Sequence, residues 1–110
     1  MTTNAKPLIN AKRAENSQTT QYTATNVVAI VDTFTVRNTT AGAVTFAVNV
    51  VPSGGTAGAD NIFMNKSIAV GQTYTCPEIV GQILKAGDFL STIAGAATSL
   101  TIRASGREIT

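Results

Sequence analysis

The chain has no histidine and no tryptophan, a single cysteine, and six acidic residues among 110. Each shortage excludes a class of chemistry. Without histidine, a serine or cysteine nucleophile lacks its usual general base. Zinc sites draw mainly on cysteine and histidine, and one cysteine cannot build one. Cys76 has no partner for an intrachain disulfide. The acids Glu15, Asp32, Asp60, Glu78, Asp88 and Glu108 stand in no motif, so paired-carboxylate chemistry has no sequence support. These absences argue against an enzyme, and no cofactor is expected.

Charge is also scarce. Ionisable residues make up 13% of the chain, about half the usual share. A free-standing monomer normally carries more charge to stay soluble. Low charge therefore favours a surface partly covered by other subunits, and a homo-oligomer. The formal net charge of +2 is too small for a nucleic-acid footprint. No apolar run approaches the length of a membrane span, and no signal-peptide pattern opens the chain, so a membrane partner is not expected.

What the chain does hold is alternation. Val44, Phe46, Val48 and Val50 alternate with Thr45, Ala47, Asn49 and Val51, and the run ends at Pro52-Ser53-Gly54-Gly55. A period of two marks a half-buried β-strand. Val27 to Arg37 reads the same way, with Val28, Ile30, Phe34 and Val36 sharing a face with Asp32. A charge on the apolar face predicts a bulge near Val31 or Asp32. The loop at 38–42 predicts a hairpin joining these two strands. Further short strands are expected at 18–23, 62–64, 67–70, 73–76, 89–93 and 100–105. Gly106 marks a kink, with Ile109 closing the edge of a sheet. Pro77 opens a helical spacing through Ile79, Val80, Ile83 and Leu84, cut short by Gly81. The 18 threonines, β-branched and strand-favouring, suit the same reading. The expected fold is all-β: a single antiparallel β-sandwich, jelly-roll-like or Ig-like, of about eight short strands with one helical turn near 77–84.

Two segments are expected, an N-terminal arm over 1–18 and the sandwich over 19–110. The arm holds Lys6, Lys12, Arg13 and Glu15, and so the whole net charge of the chain, since the remaining five bases and five acids cancel. With Leu8 and Ile9 it is either a loosely ordered terminus or a docking arm for a neighbouring subunit. Such an arm could be deleted without unfolding the sandwich.

Weaker signals fall elsewhere. Arg37, Arg103 and Arg107 lie on or beside strands and suit either surface ion pairs or intersubunit contacts. Ser53, Gly54, Gly55, Asp60 and Asn61 belong to a glycine-rich loop expected to be exposed and mobile. That loop lacks the Lys-Ser/Thr of a phosphate loop. Asp60, Asn61 and Asn65 match no established calcium spacing. The glycosylation tripeptides at Asn38 and Asn65 carry no weight without a secretory signal. Cys76 reads as a small buried hydrophobe or as a reactive thiol at a helix start.

Three stretches together, FTVRNTTAGAVTFAVNVVPSGGTAGADN, IAVGQTYTCPEIVGQILKAGDFLS and LTIRASGREI, resemble a family of small virion proteins of tailed bacteriophages. The resemblance covers about residues 20–110 and leaves 1–18 outside. At the position before Pro77-Glu78 this chain carries Cys76, where the family has threonine, leucine or valine. The resemblance implies a β-sandwich subunit of the phage particle and does not fix where in the particle it sits; low charge, abundant threonine and the basic N-terminal arm fit a structural role at the head or neck, as a capsid decoration or a collar. A tail-fibre or baseplate module that binds the host surface through the 52–61 loop is the alternative, and a cellular adaptor domain a further one. It also implies a virion location after synthesis in the host cytoplasm, with major capsid, neck or tail subunits as partners.

Overall fold

A computed structural model describes residues 2–110. Nine strands fill it: β1 (Thr3–Arg13), β2 (Thr19–Thr23), β3 (Val28–Asn38), β4 (Val44–Val51), β5 (Ile62–Ile68), β6 (Thr73–Tyr74), β7 (Ile83–Leu84), β8 (Phe89–Ala94) and β9 (Leu100–Ile109). They form two antiparallel sheets packed face to face. Sheet I runs β1-β9-β3, with β6 and β7 sharing the far edge of β3. Sheet II runs β2-β8-β4-β5. Successive strands switch sheets except at β4–β5 and β6–β7, and this interleaved order is that of a jelly roll. Among the described residues no helix is long and apolar enough to cross a membrane.

Alternation explains the core. Phe34, Val36, Ile102 and Ala104 point inward from sheet I and Phe46, Val48, Leu90 and Ala94 from sheet II, all essentially inaccessible to solvent. The Phe34 and Phe46 rings meet between the sheets, centroids 6.1 Å apart and tilted by 48°, within the range aromatic pairs favour.

The bulge in β3 lies at the expected place, as a register shift between Val31 and Thr33 opposite β9. It sends Asp32 to solvent. The facing upstream of it is reversed, however: Ala29 and Val31 are buried, while Val28 is exposed. An extra residue in one strand exchanges the two faces on either side of it.

Three expectations are corrected. First, β3 and β4 do not form a hairpin; they lie in different sheets. Alternating strands bury one face whether they pair edge to edge or stack, so the pattern cannot separate the two. The side chain of Asn38 fixes the crossing. Its Nδ2 donates to the carbonyls of Gly42 (2.8 Å) and Ile68 (2.9 Å), and its Oδ1 accepts from the Thr40 N–H (2.9 Å). Second, the segment expected to hold one helical turn near 77–84 contains no helix: residues 77–81 form a hydrogen-bonded turn, and Ile83–Leu84 is the strand β7. The N–H groups of Ile79 and Val80 both reach the Cys76 carbonyl, at 3.0 and 3.2 Å. Gly81 then adopts φ 91° and directs the chain into β7. Ile79 and Leu84 are buried, whereas Val80 and Ile83 are exposed, so the apolar stripe is divided between core and surface. Third, the segments expected at 62–64 and 67–70 are one continuous strand, β5.

The N-terminal segment also differs from a free arm. Thr3–Arg13 pairs with β9 along its length, from Thr3↔Ile109 to Arg13↔Thr101. Leu8 and Ile9 are buried in the core. β9 is therefore an interior strand, flanked by β1 and β3, and Ile109 does not close an edge. The pairing continues past the strands: the Thr110 N–H donates to the Thr2 carbonyl at 2.9 Å, and the Thr2 N–H to the Thr110 carbonyl at 3.3 Å.

Candidate functional site

The outer face of sheet I carries the arginines. Arg37 pairs in register with Thr101, and Arg103 with Thr35. Since Val36, Ile102 and Ala104 point inward, Arg37 and Arg103 point out. The Arg37 guanidinium donates to Thr73 Oγ1 at 3.0 Å. Arg107 grips Asp32 through two nitrogens, Nε to Oδ2 at 3.0 Å and Nη2 to Oδ1 at 3.0 Å. That hydrogen bond holds the Arg107 guanidinium above its ordinary pKa. Arg13 stands at the corner of the same face, donating to Thr39 Oγ1 (3.0 Å) and the Thr98 carbonyl (2.6 Å). The face thus presents Arg13, Arg37, Arg103 and Arg107 against Asp32.

The other candidates of the N-terminal segment have partners within the chain. Lys6 pairs with Glu108 at 3.4 Å. Glu108 also accepts the hydroxyl of Tyr22 from sheet II. Burial first, then that bond, raises the Tyr22 pKa above its ordinary value. Lys12 donates to Glu15 (2.8 Å) and Gln21 (2.9 Å). Leu8 and Ile9 are core residues.

The 52–61 loop is exposed at Ser53, Gly54 and Asp60, with Gly55 half-buried. It is held from within by Asn61. Asn61 Oδ1 accepts from Asn49 Nδ2 (2.8 Å) and the Gly58 N–H (3.1 Å), while its Nδ2 donates to the Thr56 carbonyl (2.9 Å). Asp88 ties the first half down through the Ser53 N–H at 2.9 Å. Asn61 thus belongs to the frame of the loop, not to its exposed surface. Its burial follows from no sequence pattern; an asparagine immediately before a strand reads equally well as a turn.

Cys76 is inaccessible to solvent. Burial, and then the nearby Glu78 charge, push its thiol up to about 12. It is the buried-hydrophobe alternative that holds, and the reactive-thiol alternative fails, because a thiol so placed is neither ionised nor reachable at neutral pH. The carboxylates are dispersed. Glu15 faces Lys12, Asp32 faces Arg107, Glu78 accepts from Tyr74, and Asp88 accepts backbone N–H groups. Among the described residues no group of three or more cysteine or acidic side chains could hold a metal ion.

One groove was not foreseen. β6 and β7 cover only the two ends of the outer edge of β3. Between them a cavity of about 370 Å³ opens against Asp32–Thr35, Thr75, Pro77 and Val80. Its polar groups are mainly threonine hydroxyls, and the Phe34 ring turns away into the core, so no aromatic platform faces it.

No family model matches the chain, and no curated protein sequence matches it. Among solved structures, the fold is similar to a chain from Bacillus endospore appendages, which form a novel family of disulfide-linked pili. The TM-score is 0.55 at 17% identity, over 99% of this chain and 88% of that one. A chain of infectious bursal disease virus, Gx strain, aligns with 98% of this chain but over only 32% of its own length, at 10% identity and a TM-score of 0.41. At 17% identity the first likeness establishes a shared fold alone.

Proposed function

We propose that this chain is a non-enzymatic structural subunit of a virus particle, accessory to the head or neck of a tailed phage as a decoration or collar protein. The observation that carries the reading is the division of charge between the two sheets. Sheet I presents Arg13, Arg37, Arg103 and Arg107 against one aspartate, while among the described residues the outward strand positions of sheet II, Thr45, Ala47, Asn65, Ser67, Ser91 and Ile93, carry no ionisable side chain. The sequence resemblance over residues 20–110 supplies the particle.

In this reading the basic face lies against an acidic surface of a larger shell or neck subunit. Arginine suits the task, since its planar fork pairs with carboxylates through two bonds at once. Among the described residues Arg103 has no hydrogen-bond or ion-pair partner and Arg37 only a threonine hydroxyl, so both are available. Burying such a face over joints between larger subunits reinforces them. A standard interface of about 1,600 Å² suffices for stable attachment.

Particles assembled without this chain test the reading. They should adsorb normally but burst on heating or osmotic shock. Particles that stay robust and fail to attach would favour the tail-fibre or baseplate alternative, with the 52–61 loop as the contact. The double variant Arg37→Glu/Arg103→Glu should remain folded and lose incorporation. Retained incorporation would remove the basic face from the interface.

A further inference from the structure

The outer face of sheet II is as neutral as that of sheet I is basic. Inward Phe46 and Val48 set the phase of β4, so Thr45 and Ala47 point out. Register then turns Ser67 and Asn65 of β5 and Ile93 of β8 to the same side. Ala47 is only 7% exposed although it faces outward. It forms the floor of a depression of about 210 Å³ framed by Thr45, Asn65, Ile93 and Gly95. Phe63 is the extra residue at the register shift between Met64 and Ile62; with Met64 beside it buried and its own ring exposed, it stands at the rim of the same outer face. It is 49% exposed, with Ile62 beside it at 39%.

We propose that a second copy of this chain packs on the outer face of sheet II, the Phe63 ring of each copy entering the Ala47–Gly95 depression of the other. This deepens the proposed function and rests on its claim of a structural subunit, not on a head or neck location. Two observations select a second copy as the occupant. Identical faces meeting in a two-fold contact must tolerate their own charge. The face of sheet II brings no like charges together, whereas that of sheet I would set arginine against arginine. A two-fold contact also requires projection and recess on the same surface, and here they are neighbours on β5 and β4. Asn49 and Val51 of this face are buried under the chain's own 52–61 loop, so the open part of the four strands, spaced about 4.8 Å apart, is on the order of 250 Å² in projection. That is well below the ~800 Å² per partner of stable complexes. The contact is therefore weak alone and effective between neighbours already held in an assembly.

The buried Cys76 makes a direct test possible, because the native chain offers no accessible thiol. Asn65→Cys places one on the face of sheet II, and Arg103→Cys one on that of sheet I. Each variant is treated with a short bismaleimide, and its dimer yield is normalised to its labelling by a monofunctional maleimide. The Asn65→Cys chain should cross-link about tenfold faster than the Arg103→Cys chain, because a docked pair raises the local thiol concentration. Adding Phe63→Lys to Asn65→Cys should bring the rate down to that of Arg103→Cys. Equal rates for the two single variants, or no response to Phe63→Lys, would overturn the proposal. Cross-linking through Asn65→Cys by a chain that never enters particles would uphold this contact and sink the particle reading. Particle entry without cross-linking would do the reverse.

Discussion

Gly106 lies directly against the backbone carbonyl of Ile30: a Cβ built on it would sit 2.1 Å from that oxygen and 2.8 Å from Leu8 Cδ1. β9 here runs between β1 and β3, beside the bulge at Val31, and the close approach leaves no room for a side chain. The glycine reads in the sequence as a kink. Its physical role is to let three strands meet. Gly106→Ala forces backbone movement in an interior strand and should cost about 3 kcal/mol or more, at the upper end of overpacking effects. Chemical denaturation measures it; an unchanged midpoint would refute the close packing.

Deleting residues 2–13 should abolish the folded state. The deletion uncovers one edge of β9 and removes Leu8 and Ile9, each contributing roughly 1.5–3 kcal/mol by burial. Small domains hold only about 5–15 kcal/mol in total. Circular dichroism and thermal melting decide the matter. A cooperative transition retained in the truncated chain would restore the idea of a detachable arm.

Asn61→Ala should loosen the 52–61 loop and leave the Asn49 amide short of a partner. Losing a buried hydrogen-bond partner costs about 1–3 kcal/mol. Limited proteolysis should then cut the loop before the rest of the chain, whereas the native loop should resist. Equal resistance in the two proteins would show that Asp88 and the glycine turn suffice.

The Lys12–Glu15 pair gives a small pH response of known sign. The hydrogen bond from Lys12, with a second from Gln21, holds the Glu15 carboxyl below its ordinary range. A depressed folded-state pKa means stability that is present above the unfolded value and lost as pH falls through the folded one. Glu15→Gln should therefore lower stability slightly at neutral pH and flatten the acid side of the stability curve. The effect is small because both side chains are 38% exposed. Melting temperatures from pH 2 to 7 compare the two chains; an unaltered acid limb would remove Glu15 from the account.

Much of the sandwich can be read from the sequence, and the omissions share a cause. β9, and β3 on either side of its bulge, alternate because each buries one face, and Asp32 betrays the bulge by standing on the wrong one; β4 is legible from its alternating sequence although the loop that follows buries part of its outer face as well. β1 escapes because it is an edge strand. Pro7, Lys6, Lys12 and two register shifts interrupt its pattern, the same devices that guard an edge against stray pairing. Its partner β9 is also the most distant strand along the chain. The crossing at Asn38 is invisible because alternation reports burial and not the identity of the neighbour. The arginines were found as residues, but their common face becomes evident only with the register. The uncharged face of sheet II was legible in principle: Thr45, Ala47, Asn65, Ser67 and Ile93 occupy every second position without one ionisable group.

The doubled hydrogen bond between Thr2 and Thr110 has a mechanical consequence. A pull that separates these two residues opens the β1–β9 ladder rung by rung, as a zip opens, so little force is needed at any moment. Load entering through the broad surfaces of the sandwich is instead shared among many rungs at once. A shell or collar under internal pressure would gain strength from this subunit only if tension reached it through those surfaces.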